Sequence, residues 1–168
     1  PAAAFAVGTD AATCGDDSYP TLADAVAAEA GNKGALIVLQ KNVEEKITIP
    51  AGADLVLDLN GHELKAAAGS AVTVDGGKLT VQDSTAVQDY DYSGEVPAVK
   101  YTGGAIVAVK NDGTDRADGV KVVNGGEFTL LSGKVSGRNI GVSALGNLAA
   151  GADRAAIASK AYIKGGYV

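Results

Sequence analysis

The chain contains no methionine and no tryptophan, and only two phenylalanines, one cysteine and four prolines among its 168 residues. With so few large aromatics, a core has to be assembled from valine, leucine, isoleucine and alanine. Cys14 stands alone, which excludes an internal disulfide and any zinc site built on cysteines. No apolar run approaches the roughly 18 residues that span a bilayer, so membrane insertion is not expected. Positive charge is in deficit, with a formal net charge of −6 at pH 7. Nucleic acid and anionic membrane surfaces are therefore poor partners, since neither would be attracted electrostatically. The first residue is not methionine either, and PAAAFA reads as a small-residue remnant beside a signal-peptide cleavage site. The expectation is a processed, exported chain or an excised fragment, located outside the cell or on its surface.

Against these absences stand 23 glycines, which call for many turns of positive φ without the period of collagen or the bias of a linker. Hydrophobic residues make up 46% and charged residues 20%, enough for one core, and the length suits one domain. Residues 1–18 read as an N-terminal arm and loop, and 19–168 as a single domain. In TLADAVAAEAG, Thr21 is placed to cap a helix with Asp24 three residues on, and Gly31 to close it. The predicted helix covers about 21–30, with Leu22, Ala25, Val26 and Ala30 on one face.

From Ala35 onward the helical period gives way to strand-like segments separated by Gly or Asn turns. ALIVLQ is a continuous apolar run and EKITIP alternates. LVLDLNGHEL places Leu55, Leu57 and Leu59 on one face, with Val56, Asp58 and Asn60 on the other. VDGGKLTV, beginning at Val74, is nearly repeated as VNGGEFTL, beginning at Val123 and 49 residues later. Aligned on the glycine pairs, Val74 matches Val123, Leu79 matches Phe128 and Val81 matches Leu130. Leu55 and Leu79 lie 24 residues apart, and 49 is close to twice that, with AIVAV (Ala105 to Val109) roughly midway. The two copies thus read as one corner and strand on two coils, with a coil between them. Among their polar positions the copies vary as Lys78 against Glu127 and Asp75 against Asn124, which is where any function on that face would lie. AYIKGGYV matches FTLLSGKV through Ile163 on Leu130, Gly166 on Gly133 and Val168 on Val135, after 33 residues and an insertion in GNLAAGADR. A period in the low twenties built from short strands predicts an all-β solenoid. A β-sandwich is the alternative, although its hairpin-joined strands need not resemble one another.

YPTLADAVAA, GALIVLQKNVEEKITIPAG, ADLVLDLNGHEL and GGKLTVQDS, in that order, resemble the start of right-handed parallel β-helix domains of the pectin-lyase-like superfamily. The nearest likeness is to repeats in large exported surface proteins of Gram-positive bacteria, and it covers most of the chain. It implies a right-handed parallel β-helix of about six coils over residues 35–168, stacked at about 4.8 Å per coil, with the short N-terminal α-helix as a cap. Leu57, Val81 and Leu130 would then form inward ladders, and the last coil, uncovered, could self-associate. The phrases describe how a coil is entered and packed, so they carry little about activity.

Candidate sites follow from local chemistry. His62 in LDLNGH lacks a nearby nucleophile with an oxyanion turn, so a turn at Asn60 and Gly61 with His62 on its solvent side is expected. Pectin-lyase-like enzymes imply acidic residues on an exposed sheet. Asp58, expected to point outward, and Asp83, 25 residues on, are the pair such a lyase or hydrolase would use. No catalytic residue is assigned, because the later copy at Leu131 and Ser132 is not acidic. Asp112, Asp115 and Asp118 in NDGTDRADG could supply some of the about six to eight oxygens that calcium takes. Calcium is thus the one cofactor suggested, although a solvated turn is the default. Tyr90, Tyr92 and Tyr101, in the irregular QDYDYSGEVPAVKYTGG, are candidates to stack on sugars or anchor a protein. Phe5 and Val7 could pair an N-terminal arm with another subunit's open edge. The expected function is a non-catalytic module for structural display or adhesion, binding a glycan or a protein of a host or neighbouring cell. A polysaccharide-degrading enzyme and a head-to-tail assembly subunit are the alternatives.

Overall fold

A computed structural model describes residues 10–96, 98–146 and 158–168. The chain begins with β1 (Ala12–Cys14), β2 (Asp17–Tyr19) and the helix α1 (Leu22–Glu29). Then come β3 (Ala35–Leu39), β4 (Val43–Glu44), β5 (Ile47–Ile49), β6 (Asp54–Asp58), β7 (Glu63–Ala66), β8 (Val72–Asp75) and β9 (Lys78–Gln82). A hairpin of β10 (Val87–Asp91) and β11 (Ala98–Thr102) interrupts the series, which resumes with β12 (Ala105–Ala108), β13 (Asp118–Val123), β14 (Glu127–Leu130), β15 (Lys134–Gly137), β16 (Ile140–Ala144) and β17 (Lys160–Ile163).

These strands form four sheets. The largest runs β17-β14-β9-β6-β3-β1-β2, parallel from β17 to β3 and antiparallel through β1 and β2. Two parallel four-stranded sheets run β15-β12-β7-β4 and β16-β13-β8-β5, and β10 with β11 makes a separate antiparallel ribbon. The right-handed β-helix of about six coils is therefore corrected: among the described residues the fold is all-β with one helix, in separate and mostly parallel sheets. Two sequence intervals misled. AIVAV is β12, which pairs with β7 and β15 rather than lying between β9 and β14. Leu79 and Phe128 are direct register partners, so no strand intervenes between the two glycine-paired copies. The 49-residue interval is long because the hairpin and the loop before β13 occupy it.

The alignment on the glycine pairs also shifts by one. Val74 pairs with Val122 and Asp75 with Val123, although Leu79 still pairs with Phe128. The second copy turns through Asn124 (φ 52°) and Gly125 (φ 79°), where the first needs positive φ only at Gly76. Asparagine tolerates that region better than other side chains do, which accommodates the extra residue.

Apolar side chains from the facing sheets make one core. Ile37, Leu57, Val81 and Leu130 form one buried ladder, Leu55, Leu79 and Phe128 a second, and Leu64, Ile106 and Val135 a third. Burying each such side chain contributes about 1.5–3 kcal/mol. In a parallel sheet covered on one face, these in-register pairs also fix the strand register.

At one end α1 covers the edge near β5, while β1 extends the largest sheet beyond β3. The Thr21 hydroxyl accepts the Asp24 N–H at 3.0 Å, as its capping position predicts. Glu45 closes the remaining gap, accepting from the N–H groups of Leu22 at 3.1 Å and Ala23 at 3.0 Å. At the far end β17 has a partner only in β14 among the described strands, and Tyr162 and Ile163 stay exposed.

Candidate functional site

The β10–β11 hairpin is the feature that the rest of the fold positions. β9 ends at Gln82, and Asp83 opens a turn in which its own carboxylate accepts the Thr85 N–H at 3.0 Å and hydroxyl at 2.8 Å. An Asp bonding backbone two residues ahead is an Asx turn. The same oxygen accepts the Gly61 N–H at 3.0 Å, and the other accepts the Tyr101 hydroxyl at 3.0 Å and the Gly104 N–H. Asp83 thereby ties the outgoing strand, the returning strand and the neighbouring Asn60–Gly61 turn to one buried point. Burial alone would raise its pKa, but the hydrogen bonds from Gly104, Thr85 and Gly61 outweigh it and hold the carboxyl below its usual range. Burial and the adjacent Asp83 carboxylate push the Tyr101 phenol well above its ordinary value.

Glycine is required where the arm returns. Gly103 has φ 148°, and a Cβ there would fall 2.3 Å from an Asp83 oxygen. A Cβ on Gly104 would meet the His62 carbonyl and the Leu59 side chain at 2.6 Å. The arm itself is open to solvent: all of β10 is exposed, and Tyr101 alone in β11 is half-buried. Tyr90 and Tyr92 are 50% and 72% exposed, their ring centroids 6.2 Å apart and tilted by 34°. The three predicted tyrosines therefore divide. Tyr90 and Tyr92 share the arm, whereas Tyr101 sits at its root as a structural donor.

Asp58 departs from its expected outward exposure, being 5% exposed. It lies at the end of β6, where the chain turns back over it. Its oxygens accept the N–H groups of Asn60 at 2.8 Å and Ser84 at 2.9 Å and the Gln82 amide at 3.1 Å. Asn60 and Gly61 make the expected turn, with φ 47° and 78°, and His62 is half-buried beside it.

Each predicted calcium ligand has a separate partner. Asp112 bonds Lys46 at 3.1 Å. Asp115 accepts the Ser70 N–H and the Lys121 ammonium, both at 3.0 Å. Burial works to raise the Asp115 pKa, yet Ser70 and Lys121 lower it overall. Asp118 turns inward, one oxygen accepting the Ser143 hydroxyl at 2.6 Å and the other 4.0 Å from the Arg116 Nε. Among the described residues no three His, Cys, Asp or Glu side chains gather as a metal site. Phe5 and Val7, the predicted assembly contacts, lie outside the described residues, as does nearly all of the predicted insertion.

The two polar pairs in which the glycine-paired copies differ face one another. Lys78 bonds Glu127 at 3.1 Å, and the Asn124 amide donates to Asp75 at 2.6 Å. Sequence reasoning missed Asp83 as the root of the arm. Its signal was present in DST, an acidic residue closing a strand and followed two residues later by threonine. No protein-family model, curated protein or solved structure matches the chain, so the resemblance to surface-protein domains rests on its quoted phrases alone.

Proposed function

We propose that the chain is a non-catalytic recognition module of an exported, cell-surface protein, in which the stacked sheets form a firm base and the β10–β11 hairpin makes contact with a glycan or protein. The observation that carries this is the arm: an exposed two-tyrosine ribbon rooted on the buried Asp83 carboxylate. Loops and ribbons held by a rigid scaffold are where binding residues concentrate. Against the enzyme reading, Asp58 and Asp83 spend their oxygens on backbone amides and neighbouring side chains. Asp83 in particular is held below its usual range by these bonds, whereas a proton donor to a glycosidic oxygen calls for a raised pKa.

The test replaces residues 88–101 by an Asn-Gly turn and compares the shortened and full chains on immobilised glycans and cell-surface protein fractions. Binding by the full chain that the shortened chain loses, with the circular dichroism spectrum otherwise kept, is the expected result. Equal retention by both chains, or cleavage of a polyuronate that stops on Asp58→Ala, would sink the proposal.

A further inference from the structure

We propose that the tyrosine face of the β10–β11 hairpin docks a basic, arginine- or lysine-bearing segment of a partner protein. This rests on the reading of the hairpin as a recognition arm and names what the arm recognises. Cross-strand register decides which side chains share a face. Gln88 lies opposite Tyr101 and Tyr90 opposite Val99, and the Tyr92 ring, 6.2 Å from that of Tyr90, joins that side. Asp89 lies opposite Lys100 and Asp91 opposite Ala98 on the reverse. Among the described strands no third one joins the ribbon. A lone two-stranded hairpin is marginal in water, so its apolar face gains from a cover.

Charge selects the cover. Between Val87 and Thr102 the acidic Asp89, Asp91 and Glu95 face a single base, Lys100. Asp89 accepts the Tyr90 N–H at 2.8 Å and Asp91 the Ser93 N–H at 2.9 Å. Among the described residues none of the three acids forms an ion pair with a cationic side chain. Asp89 and Asp91 alternate with Tyr90 and Tyr92 along the strand, so their carboxylates, on the reverse of the ribbon, lie about one Debye length, roughly 8 Å at physiological ionic strength, from the rings. A guanidinium or ammonium laid on Tyr90 or Tyr92 is drawn both by the ring face and by the acids behind it. A neutral sugar would stack on the rings and donate hydroxyls to the carboxylates without the gain of opposite charge, and an acidic segment would be repelled by them. The chain as a whole carries −6, which steers a basic partner inward and an acidic one away.

The experiment uses the full chain and three probes: an extended peptide alternating arginine with valine, one alternating glutamate with valine, and a panel of neutral oligosaccharides. Interferometry is run in low and high salt on the wild type, on Tyr90→Ala with Tyr92→Ala, and on Asp89→Asn with Asp91→Asn. These positions are exposed, so circular dichroism should confirm that both variants fold. The expected result is that the arginine peptide binds, weakens at least about tenfold in high salt, and weakens at least about fivefold in each variant. Oligosaccharide binding lost only in the tyrosine variant would overturn the basic partner while leaving the recognition arm standing. Arginine-peptide binding that persists unchanged in both variants, or failure of the wild type to bind any probe, would overturn the proposal itself.

Discussion

Asp83 is a small case of how a buried charge is made tolerable. An isolated carboxylate in a protein interior would neutralise itself by taking up a proton. Here five donors, from Gly61, Thr85 twice, Tyr101 and Gly104, favour the ionised form instead. The sign of the pH dependence follows. Because the folded pKa is depressed, the unfolded chain takes up its proton first as the pH falls. The contribution is therefore complete above the unfolded aspartate value of about 3.9 and disappears as the pH drops through the folded one. Asp83→Asn should cost about 1–3 kcal/mol at neutral pH, since an amide presents N–H groups to donors that need an acceptor. Urea unfolding at pH 7 and at pH 3 checks this: the gap between variant and wild type should narrow at the lower pH. A constant gap would mean that the carboxylate charge is not what the site uses.

Among the elements, α1 was legible and its second cap was not. The Thr21 signal is local, with the hydroxyl and the amide it accepts lying three residues apart. Glu45 reaches the same helix end from beyond β4, and no sequence window joins it to Leu22, 23 residues away. Glu45→Ala should accordingly destabilise the chain by about 1–2 kcal/mol, more than an ordinary exposed glutamate would, because two N-terminal amides lose their acceptor beside the positive end of the helix dipole. Thermal or urea melts would show it, and a loss within error of zero would assign those amides to water. The same limit of local reading explains the strands. Leu55, Leu57 and Leu59 announce a buried face by alternation alone, and all three are buried. Asp58 alternates with them, and that alternation predicts exposure, because the turn and the Ser84 amide that enclose it exist only in three dimensions. The tyrosines mark the hairpin as irregular, but no local signal shows it as an insertion between β9 and β12, so the 49-residue interval reads from sequence as room for a further coil.

The whole molecule is finished differently at its two ends. Near β3 and β5, the β1–β2 ribbon continues the largest sheet and α1 covers the neighbouring edge, with Glu45 and Thr21 satisfying the helix start. At the other end Ile163 continues the ladder of Leu57, Val81 and Leu130 in register, yet it is 50% exposed. Its burial contributes a fraction of what the enclosed members do, since the hydrophobic gain scales with the apolar area removed from water. Stability should therefore fall along the largest sheet from β6 and β9 towards β17, with the edge opening locally while the centre stays closed. Hydrogen exchange would read this directly: amides of β6 and β9 should exchange near the rate of global unfolding, and those of β17 much faster. Val81→Ala should cost about 1–3 kcal/mol and Ile163→Ala under about 1 kcal/mol. Slow exchange in β17 matching that of β9, rising with protein concentration, would instead mean that a second copy covers that edge, and would turn the exposed Ile163 and Tyr162 into an interface.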